Sequence, residues 1–251
     1  MHRILVIQSR RAPERCSFER CAYQRAAGVD VDFDFESTLN TERDWDSPSE
    51  MLNGYDAVII GGSSDFFLHG GKSADDAERA GAIEVLERVR PLVEYLIAND
   101  FPTLGICFGH QLIAEVRGGN VTHDQAQMKM GTYDLRKTEA GRTDPLFGTL
   151  PDTFAGQYAH RDSVTTLPRG AVSLATGDCC RFSALRYGNN VYTLQFHPEL
   201  CAQDLLYARD AAETYLPPGV QIESVIRESP DVSQLIARFI NGVLTDLGVI
   251  A

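Results

Sequence analysis

Residues 102–116 read PTLGICFGHQLIAEV, and the fold turns on this passage. The apolar run Pro102 to Ile106 predicts a buried strand, and Gln111 to Val116 carries a helical pattern. Between them stand Gly105, Ile106, Cys107, Phe108 and Gly109. Small residues two before and two after a cysteine are the steric requirement of a nucleophile elbow, a sharp strand-to-helix turn that exposes the central side chain. At a helix N-terminus, partial positive charge and free N–H groups favour the thiolate, the reactive form. A buried cysteine in a glycine turn would satisfy the same pattern, because free cysteines are usually core residues. From this passage alone both readings stand.

Working outward, short apolar runs alternate with amphipathic stretches. Ile4 to Ile7 predicts a strand, Glu14 to Arg25 a helix with Cys16, Phe18, Cys21 and Ala22 on one face, and Asp30 to Phe35 a second strand. Asp56 to Ile60 predicts a strand ending at Gly61 and Gly62, followed by a helix over Ala77 to Ile97 that contains Pro91. Strands and helices alternating at this spacing predict an α/β fold, a three-layer, mostly parallel sheet with helices on both faces. Ligands then sit at the carboxyl ends of the strands. Beyond Gly119 the pieces Met130–Arg136, Ala171–Ala175, Phe182–Tyr187 and Asn190–Phe196 predict an antiparallel extension. Two helices, Ala202 to Tyr215 and Val232 to Leu247, are expected to close a single domain over 1–251, with 201–251 as a helical extension.

The chain has 251 residues, 43% of them hydrophobic and 23% charged, which excludes global disorder and suits one large domain. Its 23 basic and 35 acidic side chains give a net charge of −12, which repels phosphate backbones and anionic lipid. Nucleic-acid and membrane partners are therefore not expected. The apolar run at Ile4 to Ile7 is too short for a signal-peptide core, and the six scattered cysteines lack a CxxC pair, so a reducing cytoplasm is the expected setting. Cys179 and Cys180 have no ligand cluster around them, and the glycines at 61, 62, 70 and 71 spell no phosphate loop. No metal and no cofactor is implied. Trp45, in an acidic loop, is read as covering a hydrophobic patch or contacting a partner.

A nucleophilic thiol needs a base, and Gln195-Phe196-His197-Pro198-Glu199 offers one at the end of the last predicted strand. In extended chain, residues i and i+2 point the same way, so Glu199 can orient the His197 imidazole toward Cys107. A strand-end histidine with a surface acid is the competing reading. An elbow GICFGHQ followed by QFHPE some ninety residues later resembles the class I glutamine amidotransferases, and is closest to stand-alone domains similar to the amidotransferase part of GMP synthase.

The resemblance implies a flavodoxin-like fold and a Cys107-His197-Glu199 triad. Cys107 would attack the glutamine side-chain amide, His197 would protonate the leaving ammonia, and water would hydrolyse a γ-glutamyl thioester. It further implies an oxyanion hole from the Gly62 and Phe108 N–H groups, with Ser64, Gln111, Ala159, His160 and Arg161 around the substrate. Ser63 stands where many members have proline, which bears on the rigidity of that loop. Arg161 stands where glycine is common, which narrows the pocket, alters the backbone approach or adds a charge for an extended acidic substrate. His160 reads as structural rather than as a second base. The partners implied are glutamine or another γ-glutamyl compound and a separate synthetase subunit that takes the ammonia. A stand-alone γ-glutamyl peptidase or hydrolase, and a catalytically silent binding member, are the alternative functions.

Overall fold

Four consecutive apolar residues without polar alternation need cover on both faces. The strand that contains them, β1 (Arg3–Gln8), lies inside a nine-stranded sheet in the computed structural model of the chain. The structure describes residues 3–28, 31–178, 180–207, 215–216 and 219–244. With β2 (Asp32–Ser37), β3 (Ala57–Ile60), β4 (Thr103–Ile106) and β11 (Val191–Leu194), β1 forms a parallel half in the order β2-β1-β3-β4-β11. That is the 2-1-3-4-5 order of flavodoxin-like sheets. The sheet continues antiparallel through β10 (Cys180–Tyr187), β9 (Ala171–Gly177), β6 (Lys129–Lys137) and β7 (Thr153–His160).

Side-chain alternation along β1 splits the core into two layers. Ile4 and Val6 face Tyr23 and Ala27 of α1 (Pro13–Ala27), with Leu235, Ile236, Phe239 and Ile240 of the last described helix, Leu235–Leu244. Leu5 and Ile7 face the other side, against Val85, Leu86, Val89, Leu92, Val93 and Leu96 of the long helix Ala77–Ala98 and Leu112 of the elbow helix Phe108–Val116. Burying each of these side chains contributes about 2 kcal/mol. Trp45 is buried in this second layer, its Nε1 donating to the Asn40 carbonyl at 3.0 Å, so it covers the core.

Four readings of the sequence need correction. The inner face of α1 is not Cys16, Phe18 and Cys21: Cys21 is exposed, whereas Glu19, Ala22, Tyr23 and Ala27 are buried. An acid can occupy that face because Arg10 and Gln8 pair with it. The strand β7 and the two-stranded sheet of β5 (Val121–His123) and β8 (Asp162–Val164) had no period-two signal, since Ala155, Gly156 and Gln157 interrupt the apolar pattern of Phe154 and Tyr158. The last parallel strand stops at Leu194, so Gln195 to Glu199 lies beyond the sheet. Of the expected C-terminal helices, Ala202–Tyr207 is present and Val232–Gln234 is a 3-10 turn, while 208–214 and 245–247 fall outside the described residues. Cys179 falls outside them too; Cys180 is buried.

Candidate active site

The strands β4 and β11 are neighbours with Leu194 opposite Ile106, so the residues that follow them leave the sheet together at its carboxyl edge. Cys107 leaves it with φ 51° and ψ −99°. A non-glycine residue held in such a conformation costs about 1–3 kcal/mol and persists only where its surroundings fix it. Here the Cys107 N–H donates to the Leu194 carbonyl at 2.7 Å and the Gly109 N–H to the Gly61 carbonyl at 3.1 Å. The flanking glycines answer to close approach. A Cβ on Gly109 would stand 2.1 Å from the Ile60 carbonyl oxygen, and one on Gly105 would stand 2.9 Å from Ile113 Cδ1 and 3.1 Å from the Gly109 carbonyl. The thiol is buried, with Sγ 3.8 Å from the Ala159 carbonyl of β7.

His197 is held by its own N–H, which donates to the Gln157 carbonyl at 2.7 Å, and its Nδ1 lies 2.6 Å from Glu199 Oε1. Both side chains are buried. Burial alone would push the imidazole down, but the charge of Glu199 and the interactions with Cys107 outweigh it and raise His197 to about 10. The imidazolium is thus retained through neutral pH, ready to give up its proton. Its stabilising contribution is full below the ordinary value of 6.5 and is lost as pH rises through about 10. In Glu199→Gln, His197 is expected to titrate lower by about 1 unit or more, as removal of a close opposite charge dictates. Imidazole NMR shifts followed against pH check this; a titration unchanged from the parent protein contradicts it.

The loop after β3 brings Gly62 against both groups: a Cβ there would stand 2.9 Å from His197 Cε1 and 3.5 Å from Cys107 Cβ. The Gly62 N–H has no acceptor among the described residues, and that of Phe108, first in its helix, is one of the groups a helix leaves unpaired. Two convergent donors beside a thiol can stabilise a developing oxyanion. Ser63, in the proline position, fastens the loop by hydrogen bonds. Its hydroxyl donates to the Ser9 carbonyl at 2.7 Å and accepts from the Asp65 and Phe66 N–H groups at 3.0 and 3.1 Å. Ser64 is engaged elsewhere, accepting from Arg15 Nη1 at 2.6 Å.

The remaining substrate candidates are mostly tied into the wall of the site. Gln111 Nε2 donates to the Asp162 carbonyl at 2.7 Å and to Gln195 Oε1 at 3.2 Å, so its amide nitrogen joins the elbow helix to the two neighbouring strand ends. His160 is buried with Nδ1 3.0 Å from the Asp162 carbonyl, and burial pushes it down to about 4, leaving it neutral. The buried Asp162 carboxylate accepts from the His69 and Gly70 N–H groups at 2.8 and 2.7 Å and pins the 68–71 loop to this strand. Arg161 projects between the rings of Phe67 and Tyr215.

Sequence reasoning missed a buried ionic cluster behind Cys107, His197 and Glu199. Arg10 Nη2 donates to Glu19 Oε1 at 2.8 Å, and Gln8 Nε2 donates to Glu19 Oε2 at 2.8 Å. A Cβ on Gly61 would meet Glu19 Oε1 at 2.8 Å and the Tyr23 hydroxyl at 3.1 Å, so the cluster backs the loop after β3. The charge of Glu199 also reaches Arg10 and Tyr23. Only the polarity of Glu19 on a helix with buried neighbours signalled it.

The sequence pattern of the glutamine amidotransferase class-I family matches residues 25–204. Among curated relatives, a glutamine-hydrolyzing GMP synthase subunit of Archaeoglobus fulgidus is 35% identical over 155 residues, 61% of this chain and 72% of that protein. The corresponding GMP synthase subunit of Methanocaldococcus jannaschii is 34% identical over 116 residues, 46% of this chain and 60% of that protein, so the match spans less than two thirds of that relative. Among solved structures, a glutamine amidotransferase of Thermotoga maritima superposes with a TM-score of 0.67 at 22% identity, over 97% of this chain and 98% of that one. A glutamine amidotransferase of Methylobacillus flagellatus gives 0.61 at 17% identity, over 96% and 94%. At these identities the structural likeness speaks for the fold.

Proposed function

This chain belongs to the class I glutamine amidotransferases, and from that premise we propose that it hydrolyses the side-chain amide of glutamine through Cys107, His197 and Glu199. Cys107 Sγ bonds to the γ-carbonyl carbon while the Gly62 and Phe108 N–H groups hold the oxyanion. The amide C–N bond breaks as His197 hands its proton to the departing ammonia. Water, deprotonated by His197, then attacks the thioester and releases glutamate. Glu199 keeps the imidazole oriented through both halves and stabilises its charged form whenever it holds the proton, by the 2.6 Å contact to Nδ1.

The observation that carries this reading is the positive-φ cysteine at the strand end, with a buried histidine beside it whose Nδ1 lies 2.6 Å from the Glu199 carboxylate. In the relatives the amidotransferase is one subunit of a synthase, and by analogy the ammonia made here passes to a separate synthetase subunit. No helix among the described residues is long and apolar enough to cross a membrane, and we place the reaction in the cytoplasm. A glutamine-mimicking chloroketone is expected to label Cys107 stoichiometrically, with labelling suppressed by excess glutamine. Labelling indifferent to glutamine, as judged by peptide mass spectrometry, contradicts glutamine as the ligand.

A further inference from the structure

Arg161 is a charged side chain that makes no ion pair among the described residues. Its guanidinium carbon sits 4.8 Å from the Phe67 ring centre and 5.1 Å from that of Tyr215, and its Nε is buried with no hydrogen-bond partner. Among the described residues no carboxylate lies within ion-pair distance of it, in a chain whose net charge is −12. Two rings fix the plane of the guanidinium while leaving Nε unmet, which is how an arginine is pre-organised for a carboxylate. An unmet donor in such a place costs stability unless a ligand meets it.

The position relates this group to the thiol. Arg161 stands one residue past the end of β7 and two past Ala159, whose carbonyl lies 3.8 Å from Cys107 Sγ. Tyr215 packs with Met130 and Ile222 in a small cluster that also touches Ala159. Burial pushes the Tyr215 phenol up, Arg161 counters it and the charge of Cys107 adds to it, so the ring is within electrostatic reach of the thiol. Tyr215 also lies beyond residue 204, where the family match ends. Its ring adds a wall to the site.

Resting on the γ-glutamyl chemistry proposed above, we propose that Arg161, clamped by Phe67 and Tyr215, is a subsite for a carboxylate on the leaving side of the scissile amide. The substrate class of the same three residues then extends beyond glutamine to γ-glutamyl amino acids and peptides. Ammonia as a leaving group offers nothing for this arginine to hold. The covalent step is unchanged in its balance: Cys107 Sγ bonds to the γ-carbonyl carbon, the C–N bond breaks, and the departing nitrogen takes the His197 proton. It leaves as the amino group of an acid, and water hydrolyses the thioester to glutamate.

Calorimetric binding to the full chain carrying Cys107→Ala, which cannot turn over, separates the possibilities. The probes are γ-glutamylglycine, γ-glutamylglycinamide and glutamine. The expected result is about tenfold tighter binding of γ-glutamylglycine than of its amide, the strength of a charge-assisted pair, with the difference erased by Arg161→Met. Equal binding of the two dipeptides with Arg161 intact overturns the subsite and leaves the γ-glutamyl reading in place. A loss in Arg161→Met as large for glutamine as for γ-glutamylglycine also overturns it, by assigning Arg161 to the glutamyl end. Binding of none of the three overturns the γ-glutamyl reading itself.

Discussion

Replacing Cys107 by alanine is expected to lower glutamine turnover by about 10⁴-fold or more, the scale on which loss of a covalent nucleophile acts in thiol and serine hydrolases. The fold should survive. The side chain removed is small, and the turn is held by backbone hydrogen bonds from Cys107 to Leu194 and from Gly109 to Gly61 that alanine can also make. Alanine tolerates the positive φ no better than cysteine, so the strain is kept. Ammonia release and circular dichroism on the same preparation test both halves of the expectation. His197→Ala should fall in the same range, since neither group works without the other. Measured turnover in Cys107→Ala within tenfold of the parent would place the chemistry elsewhere.

Gly109→Ala should be the most damaging single change in the elbow, and its effect reaches the fold as well as the site. The added Cβ would stand 2.1 Å from the Ile60 carbonyl oxygen and 2.8 Å from the carbonyl carbon. Backbone cannot rotate out of the way as a side chain can. The elbow helix must therefore move off β3, breaking the Gly109 N–H bond to Gly61. A cost of about 3 kcal/mol or more follows, at the upper end for overpacking. For a chain of this size that lowers Tm by about 6–12 °C. Glutaminase activity falls with it, because Cys107 and Phe108 ride on the displaced turn. Gly54→Ala is a suitable control: its Cβ would meet nothing nearer than an Arg3 guanidine nitrogen at 3.6 Å. That glycine carries a positive φ of 83°, so its loss should cost only about 1 kcal/mol and leave activity alone.

The parts of this architecture that were legible in the sequence obey local rules. Ile4 to Ile7, Ala57 to Ile60 and Thr103 to Ile106 are apolar runs bounded by turns, and the parallel half of the sheet follows from them. The elbow was legible because two glycines around a cysteine have a steric meaning that needs no tertiary knowledge. Other features depend on pairings between distant segments. The strand β7 has little pattern of its own and exists because β6 pairs along its whole length. Glu19 could be buried only because Arg10, nine residues earlier, folds back over it. Arg161 was singled out as an unusual charge, but its clamp draws on Phe67 and Tyr215, and nothing in the spacing of these three announces that they meet.

The buried cluster of Arg10, Glu19 and Gln8 also supports the loop after β3, which carries the proposed oxyanion donor Gly62. Proline would fix the chain at position 63 by its ring. This chain uses the Ser63 hydroxyl on one side and the ionic cluster beneath Gly61 on the other. Both supports are hydrogen-bonded and shielded from water, so they are stronger than the same contacts would be at the surface. In the proposed mechanism, the loop that presents a donor to the oxyanion is then in place before substrate arrives.

The central claim is a covalent γ-glutamyl enzyme on Cys107. Mixing the protein with glutamine, quenching in acid within the first turnovers and digesting it for mass spectrometry addresses that claim without reference to any acceptor. The predicted result is the Cys107 peptide heavier by one γ-glutamyl group, labile to hydroxylamine and absent from Cys107→Ala. Ammonia released at full rate with that peptide unmodified at every quench time, and with turnover preserved in Cys107→Ala, would contradict it.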